Sequence, residues 1–445
     1  MDSPAEDPAK NEEPTVAPEA RKKKRKNRKP KSKRGKNKPT GFEEYYVDAP
    51  MTAEEYELEK SLYHVHRPII HRMEDALLRF KKSRRIESDR LDVFSKYLAY
   101  GGIDVSPKMF AGTDDRGLKE LDNDAILLAR GQTAIDPDRA NLPIDFNAVV
   151  KGFLTSYFPF SFNPYNEDMI KLATVTIRSF LSYLLYHDVC PEYKENIDEA
   201  RKSCDIATKE LWKNQQLTAN GPGDFNTACS LLFGGLEHDL YVENNQWKNP
   251  KDDKVQMTKS MAQKVLRFGL TVAGTDELAS SFHQKFSTDT LAVSKLEDIH
   301  GFEVTEVLFL DDEERKFYQD RGPDLNPVGI LFGRAYCDPT EPEYDLFPEE
   351  RGEWNKNGRP MPELMFFLEE SLLEHCYPGM KIITTVWEMN CGLHYFEEII
   401  KAYSSIYTPL CNELMLGWKR PRDLTANDKE EESDEEDGLA QPELE

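Results

Sequence analysis

The sequence predicts a helix-rich α+β protein in which many amphipathic helices accompany a small β-sheet contributed by about residues 300–390. Apolar residues recur every three or four positions through much of residues 67–273, which is the period of helices with one buried face. Segments rich in β-branched and aromatic residues, which favour strands, cluster in the second half. Both ends are charged and nearly free of large apolar groups, which predicts disordered termini.

The helices are predicted from stripes of apolar residues. In residues 67–83, for example, Met73, Leu77 and Phe80 fall on one helical face. The segments predicted to be helical are 67–83, 88–99, 146–158, 166–187, 192–213, 224–234, 258–273 and 394–406.

Three segments are predicted to be strands. Residues 302–310 alternate between apolar and polar side chains and end in a continuous apolar stretch. Residues 328–337 and 380–389 are rich in β-branched and aromatic side chains. Between them, residues 338–362 are punctuated by Pro and Gly and are predicted to form a long loop.

Composition divides the chain into three parts. We expect residues 1–40 to be a disordered basic arm and residues 422–445 a disordered acidic tail, because neither can bury enough apolar surface to offset the entropy of ordering. The folded region is then 41–421. A division of it into a helical part, 41–190, and an α+β part, 191–421, is one reading that the pattern leaves open.

The charge distribution is strongly asymmetric. The 445-residue chain has a formal net charge of −23, yet residues 21–38 contain 13 of its 58 Lys and Arg and no acid. Without those 13 cations the remainder carries −36. A body this acidic repels a phosphate backbone, so we expect its partners to be basic rather than nucleic acid.

The basic tract predicts nuclear import, with the protein found in the nucleus and also in the cytoplasm. Non-specific, salt-sensitive RNA contact by the same arm is compatible with this role, and plain solubility of a disordered arm is the alternative. The candidate localisation residues are Arg21, Lys22, Lys23, Lys24, Arg25 and Lys26.

The acidic tail contains a candidate phosphorylation site. Ser433 lies in the string EEESDEED, where a phosphate would add to the negative charge. Acidic tails also bind basic partners such as histones, and simple solubility is the plainer interpretation.

No catalytic, cofactor or metal site is predicted. Phosphate loops, dinucleotide fingerprints, hydrolase elbows and zinc-protease motifs do not occur, and the seven cysteines are scattered. His64, His66 and His71 lie close together, but Pro68 interrupts the helix that would make them converge. The acidic run 311–314 is read as a charged turn in preference to a metal cluster. No apolar run approaches the ~20 residues of a membrane span, so no membrane association is expected.

Residues 40–62 are predicted to form a docking element. Phe42, Tyr45 and Tyr46 lie beside acids at the edge of the disordered arm, a combination suited to anchoring on another protein. The alternative is that these rings cover the domain's own core.

Two stretches carry distinctive strings: TGFEEYYVDAPMTAEEYELEKSLYHVHRPIIHRME at 40–74 and SRRIESDRLDVFSKYLAYGGIDVSPKMFAG at 83–112. They resemble the fungal Argonaute-binding subunit of the Argonaute siRNA chaperone (ARC) complex. The resemblance extends to about residue 420 and includes WEMNCG at 387–392.

The resemblance implies a non-enzymatic subunit that joins an Argonaute protein and a second Argonaute-binding subunit. Such a complex contacts small interfering RNA (siRNA) through Argonaute and holds it as a duplex. It restrains passenger-strand slicing and release, and it supports siRNA-directed histone methylation and heterochromatin formation. The resemblance brings no catalytic residue. An acidic nuclear histone chaperone or chromatin scaffold, working through the tail, is the alternative function, and an enzyme with scattered ligands is a third.

Overall fold

The computed structural model describes residues 40–43, 46, 51–105, 134–135, 144–236, 238, 257–339 and 361–409, and it confirms the helix-rich α+β class. Helices occupy most of the described chain up to Ser287, and the strands of two antiparallel sheets lie between Val293 and Tyr403. None of the helices described is both long and apolar enough to span a membrane. The proposed division at residue 190 and the two tails stay predictions.

The helices begin where local capping and apolar spacing allow. Their bounds are α1 Ala53–Leu62, α2 Ile69–Ser83, α3 Ser88–Tyr100, α4 Phe146–Gly152, α5 Phe158–Phe162, α6 Glu167–Tyr186, α7 Lys194–Asn220, α8 Asp224–Phe233, α9 Lys259–Val272, α10 Asp276–Ser287, α11 Asp312–Arg321 and α12 Glu370–Leu373. A π-helical turn, Phe153–Tyr157, joins α4 to α5, and a 3₁₀ turn, Pro191–Tyr193, precedes α7.

The strands form a five-stranded sheet, a three-stranded sheet and a two-stranded ladder. Their bounds are β1 Ile103–Asp104, β2 Ala134–Ile135, β3 Val293–Lys295, β4 Gly301–Leu308, β5 Val328–Tyr336, β6 Glu363–Glu369, β7 Lys381–Ile383, β8 Val386–Met389, β9 His394–Phe396 and β10 Lys401–Tyr403. The larger sheet has the order β10-β7-β4-β5-β6 and the smaller one β3-β8-β9, while β1 pairs with β2. All described pairings are antiparallel.

The first hydrophobic core is helical and centres on aromatic side chains from α2, α3 and α6. The ring of Phe80 lies 5.5 Å from that of Phe94 and 5.3 Å from that of Phe180, measured between centroids. All three rings are almost completely buried. Burial of one apolar stripe per helix is the reason that these segments were recognisable from sequence.

Helix α7 connects this core to the sheets. It has 27 residues and is therefore about 40 Å long. Leu211 packs in the helical core, and Leu217 packs beneath the five-stranded sheet. Next to Leu211, Glu210 Oε2 accepts a hydrogen bond from the backbone N–H of Ser405, at 2.9 Å, just beyond β10.

Strand β6 separates two further cores. Leu364, Phe366 and Leu368 face the core shared with β4 and the end of α7. The intervening Phe367 faces a second core formed with α8 and α9. Because both faces of β6 are covered, its sequence ELMFFLE is a nearly continuous apolar run.

Two of the predicted elements were wrong. The segment 394–406 is not a helix, because β9 pairs with β8 and β10 pairs with β7. The predicted strand 380–389 is two strands, β7 and β8, which belong to different sheets. Strand β6 was not predicted at all.

Candidate partner-binding surface

Helix α1 lies on the surface and has no buried residue. A capping box starts it: Thr52 Oγ1 accepts from the backbone N–H of Glu55 at 3.2 Å, and Glu55 Oε2 accepts from that of Thr52 at 2.9 Å. Local capping therefore determines where α1 begins, and burial of an apolar face contributes little. Large apolar side chains are nevertheless exposed on it, with Tyr56 at 55% and Leu58 at 67%.

The outward face of α1 is acidic. Glu54, Glu57 and Ser61 lie three and four residues apart, so they share one side of the helix, and all are exposed. Glu59, on the opposite side, holds the helix to the body. Its Oε1 lies 2.9 Å from Arg79 Nη1, and its Oε2 lies 2.8 Å from His187 Nδ1.

The segment before α1 is held by a tight local turn. Glu43 Oε1 accepts from the backbone N–H of Thr40 at 2.6 Å, and Oε2 accepts from that of Gly41 at 2.9 Å. These hydrogen bonds, the one from Thr40 first, lower the pKa of Glu43 to about 2. The backbone N–H of Arg85 donates to the Thr40 carbonyl at 3.0 Å, so the turn is fixed to the α2–α3 corner.

The aromatic residues predicted for docking have different environments. Phe42 is only 5% exposed, and its ring packs edge-on to Phe80 with centroids 6.1 Å apart. Arg90 covers the Phe42 ring, with its guanidinium carbon 4.7 Å from the centroid. Tyr46 is half-buried, and its ring centroid lies 5.3 Å from the guanidinium carbon of Arg84. Tyr45 lies outside the described residues.

Phe42 is thus a core residue of this chain, whereas the outward face of α1 remains available to a partner. The docking role of the 40–62 segment stays a prediction. Tyr56 and Leu58 were not predicted from the sequence as contact residues. The T-x-x-E pattern at 52–55 does indicate the start of a helix there.

A pair of exposed aromatic residues lies at the α5–α6 turn. Phe160 is 88% exposed and Tyr165 is 82% exposed, on either side of Asn163, which has a left-handed backbone conformation. Neither was predicted as a contact residue. They provide a comparison for substitutions on α1.

The three histidines that are close together in the sequence do not converge in the structure. The rings of His64 and His66 lie 4.8 Å apart, but His71 turns to Glu74, with 3.5 Å between Nδ1 and Oε2. Within the described residues, no group of three or more His, Cys, Asp or Glu could hold a metal ion.

The acidic run after β4 starts a helix, where a turn was expected. Asp311 Oδ1 accepts from the backbone N–H of Glu314 at 2.8 Å, and Glu314 Oε2 accepts from that of Asp311 at 2.8 Å. This capping box begins α11. Carboxylates in a first helical turn are favourable because they face the positive end of the helix dipole.

Two predicted sites lie outside the described residues. They are the localisation residues Arg21, Lys22, Lys23, Lys24, Arg25 and Lys26, and the candidate phosphorylation site Ser433. Their roles stay predictions.

Comparison with known families gives a match over most of the chain. Residues 30–421 match the family described as Argonaute siRNA chaperone (ARC) complex subunit Arb1. The chain belongs to this family. The match includes α1, the Thr40–Glu43 turn and both sheets, so these features are parts of an Arb1-family fold.

One curated relative is Argonaute-binding protein 1 of Schizosaccharomyces pombe (strain 972 / ATCC 24843). The two sequences are 30% identical over 236 residues, which is 52% of this Arb1-family chain and 57% of the relative. The aligned part therefore spans little more than half the length of that relative. No solved structure matches the chain significantly.

Proposed function

We propose that this chain is a non-catalytic subunit of an Argonaute siRNA chaperone complex and that it binds an Argonaute protein. The observation that carries the proposal is the family match over residues 30–421. The relative in Schizosaccharomyces pombe is named for Argonaute binding, which supports the same partner.

Helix α1 is the docking element in this proposal. A protein that holds an RNA backbone presents cationic groups, and the outward carboxylates of Glu54 and Glu57 complement such a surface. Tyr56 and Leu58 supply apolar area that a partner would bury. In this proposal the carboxylates set the orientation and the rate of association with Argonaute, and the apolar side chains supply most of the affinity.

The role that we propose within the complex is the one that the resemblance to this family implies. The chain and a second Argonaute-binding subunit hold Argonaute loaded with duplex siRNA, and they restrain slicing and release of the passenger strand. The siRNA is contacted through Argonaute, because an acidic body repels phosphate. The basic tract at 21–38 directs nuclear entry and adds at most non-specific RNA contact. The complex supports siRNA-directed histone methylation and heterochromatin formation.

The test is affinity purification of the tagged full-length chain, with mass spectrometry and sequencing of the bound small RNA. We expect Argonaute, a second subunit and double-stranded short RNA in one eluate. Histones recovered without Argonaute would instead indicate a histone chaperone and would contradict the proposal.

The docking surface is tested by substitution. Tyr56→Ala combined with Leu58→Ala should reduce Argonaute recovery at least fivefold, and raising the salt concentration should weaken the remaining binding. The control is Phe160→Ala combined with Tyr165→Ala, which removes two side chains elsewhere that are even more exposed. Equal loss in both double variants, or binding indifferent to salt, would rule out α1 as an acidic docking surface.

A further inference from the structure

A polar cleft of about 340 Å³ lies where α7 ends, α8 begins and β6 turns into α12. It is distant in sequence from the docking helix and plays no part in the proposed function above. The polar side chains that line it are Asn220, Asp224, Asn326, Glu369, Ser371 and His375.

Glu369 is the buried member of this set. It is 3% exposed, and its Oε1 accepts from the backbone N–H of Phe225 at 2.7 Å. It thereby caps α8 from a neighbouring strand, since the N-cap residue of that helix is Gly223, which has no side chain.

The second oxygen of Glu369 has no hydrogen-bond partner. It points toward Gly223, because a Cβ added to that glycine would lie 1.9 Å from Oε2. Gly223 also lines the cleft, so the unmatched oxygen lies beside the cleft wall. A buried acceptor without a donor costs free energy, and a ligand with an N–H group would remove that cost.

The charge of the cleft selects the ligand. Two of its lining residues, Asp224 and Glu369, are acids, and none is Lys or Arg. Asp224 Oδ2 accepts from Asn326 Nδ2 at 2.9 Å, which fixes this carboxylate at the rim. Burial, with the positive charge of Lys213 second, lowers the pKa of His375, which favours the neutral imidazole over one that repels a cation.

Ser371, His375 and the two acids do not form a nucleophilic triad in the part of the chain that the structure describes, where no hydrogen bond joins Ser371 to His375. Binding, and not acyl transfer, is what the geometry supports.

We propose that this cleft binds an alkylguanidinium or alkylammonium group, the side chain of an Arg or Lys, with Glu369 and Asp224 as its acceptors. A positively charged donor supplies the hydrogen bond that Glu369 lacks and balances the negative charge of the pair. The size of the cleft suits one long side chain.

Two sources can supply that side chain: another protein, or the chain's own tract at 21–38. The tract can reach the cleft. The Gly41 carbonyl accepts from Ser179 Oγ at 3.4 Å, and the adjacent Arg178 pairs with Asp205 of α7 at 2.7 Å. From Asp205 to Asn220 the helix advances about 23 Å, whereas the tract with its link to Gly41 spans up to about 65 Å when extended.

The first test is calorimetric titration of the full-length chain with N-acetyl-arginine methylamide and with its uncharged analogue N-acetyl-citrulline methylamide. We expect saturable binding of the arginine compound and at least tenfold weaker binding of the citrulline compound. Equal binding of the two, or no saturable binding of either even after the tract at 21–38 is neutralised, would overturn the proposal.

The second test uses variants of the cleft. Glu369→Gln keeps the shape of the side chain and the oxygen that accepts from Phe225. It should weaken binding of the arginine compound at least tenfold. Asp224→Asn changes an exposed residue and should weaken binding of the arginine compound severalfold. This variant keeps the test valid if the Glu369→Gln variant does not fold. The matched control is Asp276→Asn, the equivalent first-turn acid of α10 outside the cleft. Affinities unchanged in both cleft variants would contradict the assignment.

The third test distinguishes the sources. Replacing the 13 Lys and Arg of residues 21–38 by Gln in the full chain removes the internal competitor. A rise in affinity for the arginine compound would identify the tract as the occupant. An unchanged affinity for the arginine compound would exclude the tract and leave another protein as the source of the side chain. A lower affinity would contradict the proposal, because removing a competing cation cannot weaken a cation-binding site.

Discussion

Glu59 Oε2 lies 2.8 Å from Nδ1 of His187, the C-cap residue of α6, and this contact is one of two by which Glu59 attaches α1 to the body. The other link joins Glu59 to Arg79. Both side chains of the Glu59–His187 pair are largely shielded, with 14% and 9% of their surface exposed. Glu59 therefore makes two polar contacts that position a helix with no buried residue, and Leu62 at the end of that helix packs against the helical core.

Replacing Glu59 by Ala should loosen α1 and leave the rest of the fold intact. Loss of two partly buried hydrogen bonds costs about 1–2 kcal/mol locally. In hydrogen–deuterium exchange, amides in the second half of α1 should exchange roughly tenfold faster. Glu57→Ala, on the outward face, is the control and should change nothing. Equal effects of the two substitutions would show that Glu59 does not anchor the helix.

Phe42→Ala should destabilise the whole helical core. The ring is buried between Phe80 and Arg90, and truncating a buried Phe costs about 3 kcal/mol. Tyr46→Ala, which removes a half-buried ring over Arg84, should cost about 1 kcal/mol. Urea denaturation followed by circular dichroism measures both. A Phe42→Ala variant that is stable but does not bind Argonaute would contradict this prediction and indicate that Phe42 contacts the partner.

Sequence periodicity predicted those elements whose burial is one-sided. Helices α2, α3 and α6 each bury an apolar stripe, and β4 and β5 were recognised from their residue types. Strand β6 is covered on both faces and follows a long loop, so neither alternation nor a helical period marked it. Residues 394–406 have a helix-like spacing, but pairing with β7 and β8 decides their conformation.

The candidate sites were less accessible to sequence reasoning because they depend on distant contacts. Phe42 belongs to the core only because residues about forty positions later fold over it. Glu369 caps a helix by accepting from Phe225, which lies 144 residues earlier, and nothing local distinguishes it from the other acids. By contrast, the capping box of α1 is local, so that helix could have been predicted.

Asn226→Ala should be strongly destabilising although it removes no apolar contact. The amide is completely buried and donates to the carbonyls of Pro222 and Phe367, at 3.0 and 3.1 Å. Its oxygen accepts from the backbone N–H of Phe396 at 3.2 Å. Leaving these three groups unpaired should cost about 3 kcal/mol in the free energy of unfolding.

The control for that substitution is Asn220→Ala, an exposed amide bonded only to the Gln216 carbonyl. It should change stability by less than about 0.5 kcal/mol. Chemical denaturation of the two variants measures the difference. Similar stabilities would mean that water replaces the Asn226 amide.

The stability of the fold should fall with rising pH because of Glu369. Burial, the largest influence, raises the pKa of this carboxyl from 4.5 to about 7, and the nearby negative charge of Asp224 adds to the effect. A group whose pKa is higher in the folded state binds its proton more tightly there. Its contribution to stability is therefore complete below pH 4.5 and is lost as the pH rises through 7.

The variant Glu369→Gln should abolish this dependence, because the amide resembles the protonated acid and still accepts from Phe225. Near pH 4 the two proteins should have similar free energies of unfolding, and at pH 8 the variant should be more stable by roughly 3 kcal/mol. Tyr318 and Cys229 also face this carboxyl, but burial raises the pKa of both, so they stay neutral throughout. Urea denaturation of both proteins between pH 4 and pH 8 measures the divergence. Parallel curves would show that folding does not raise the pKa of Glu369 and would contradict this prediction.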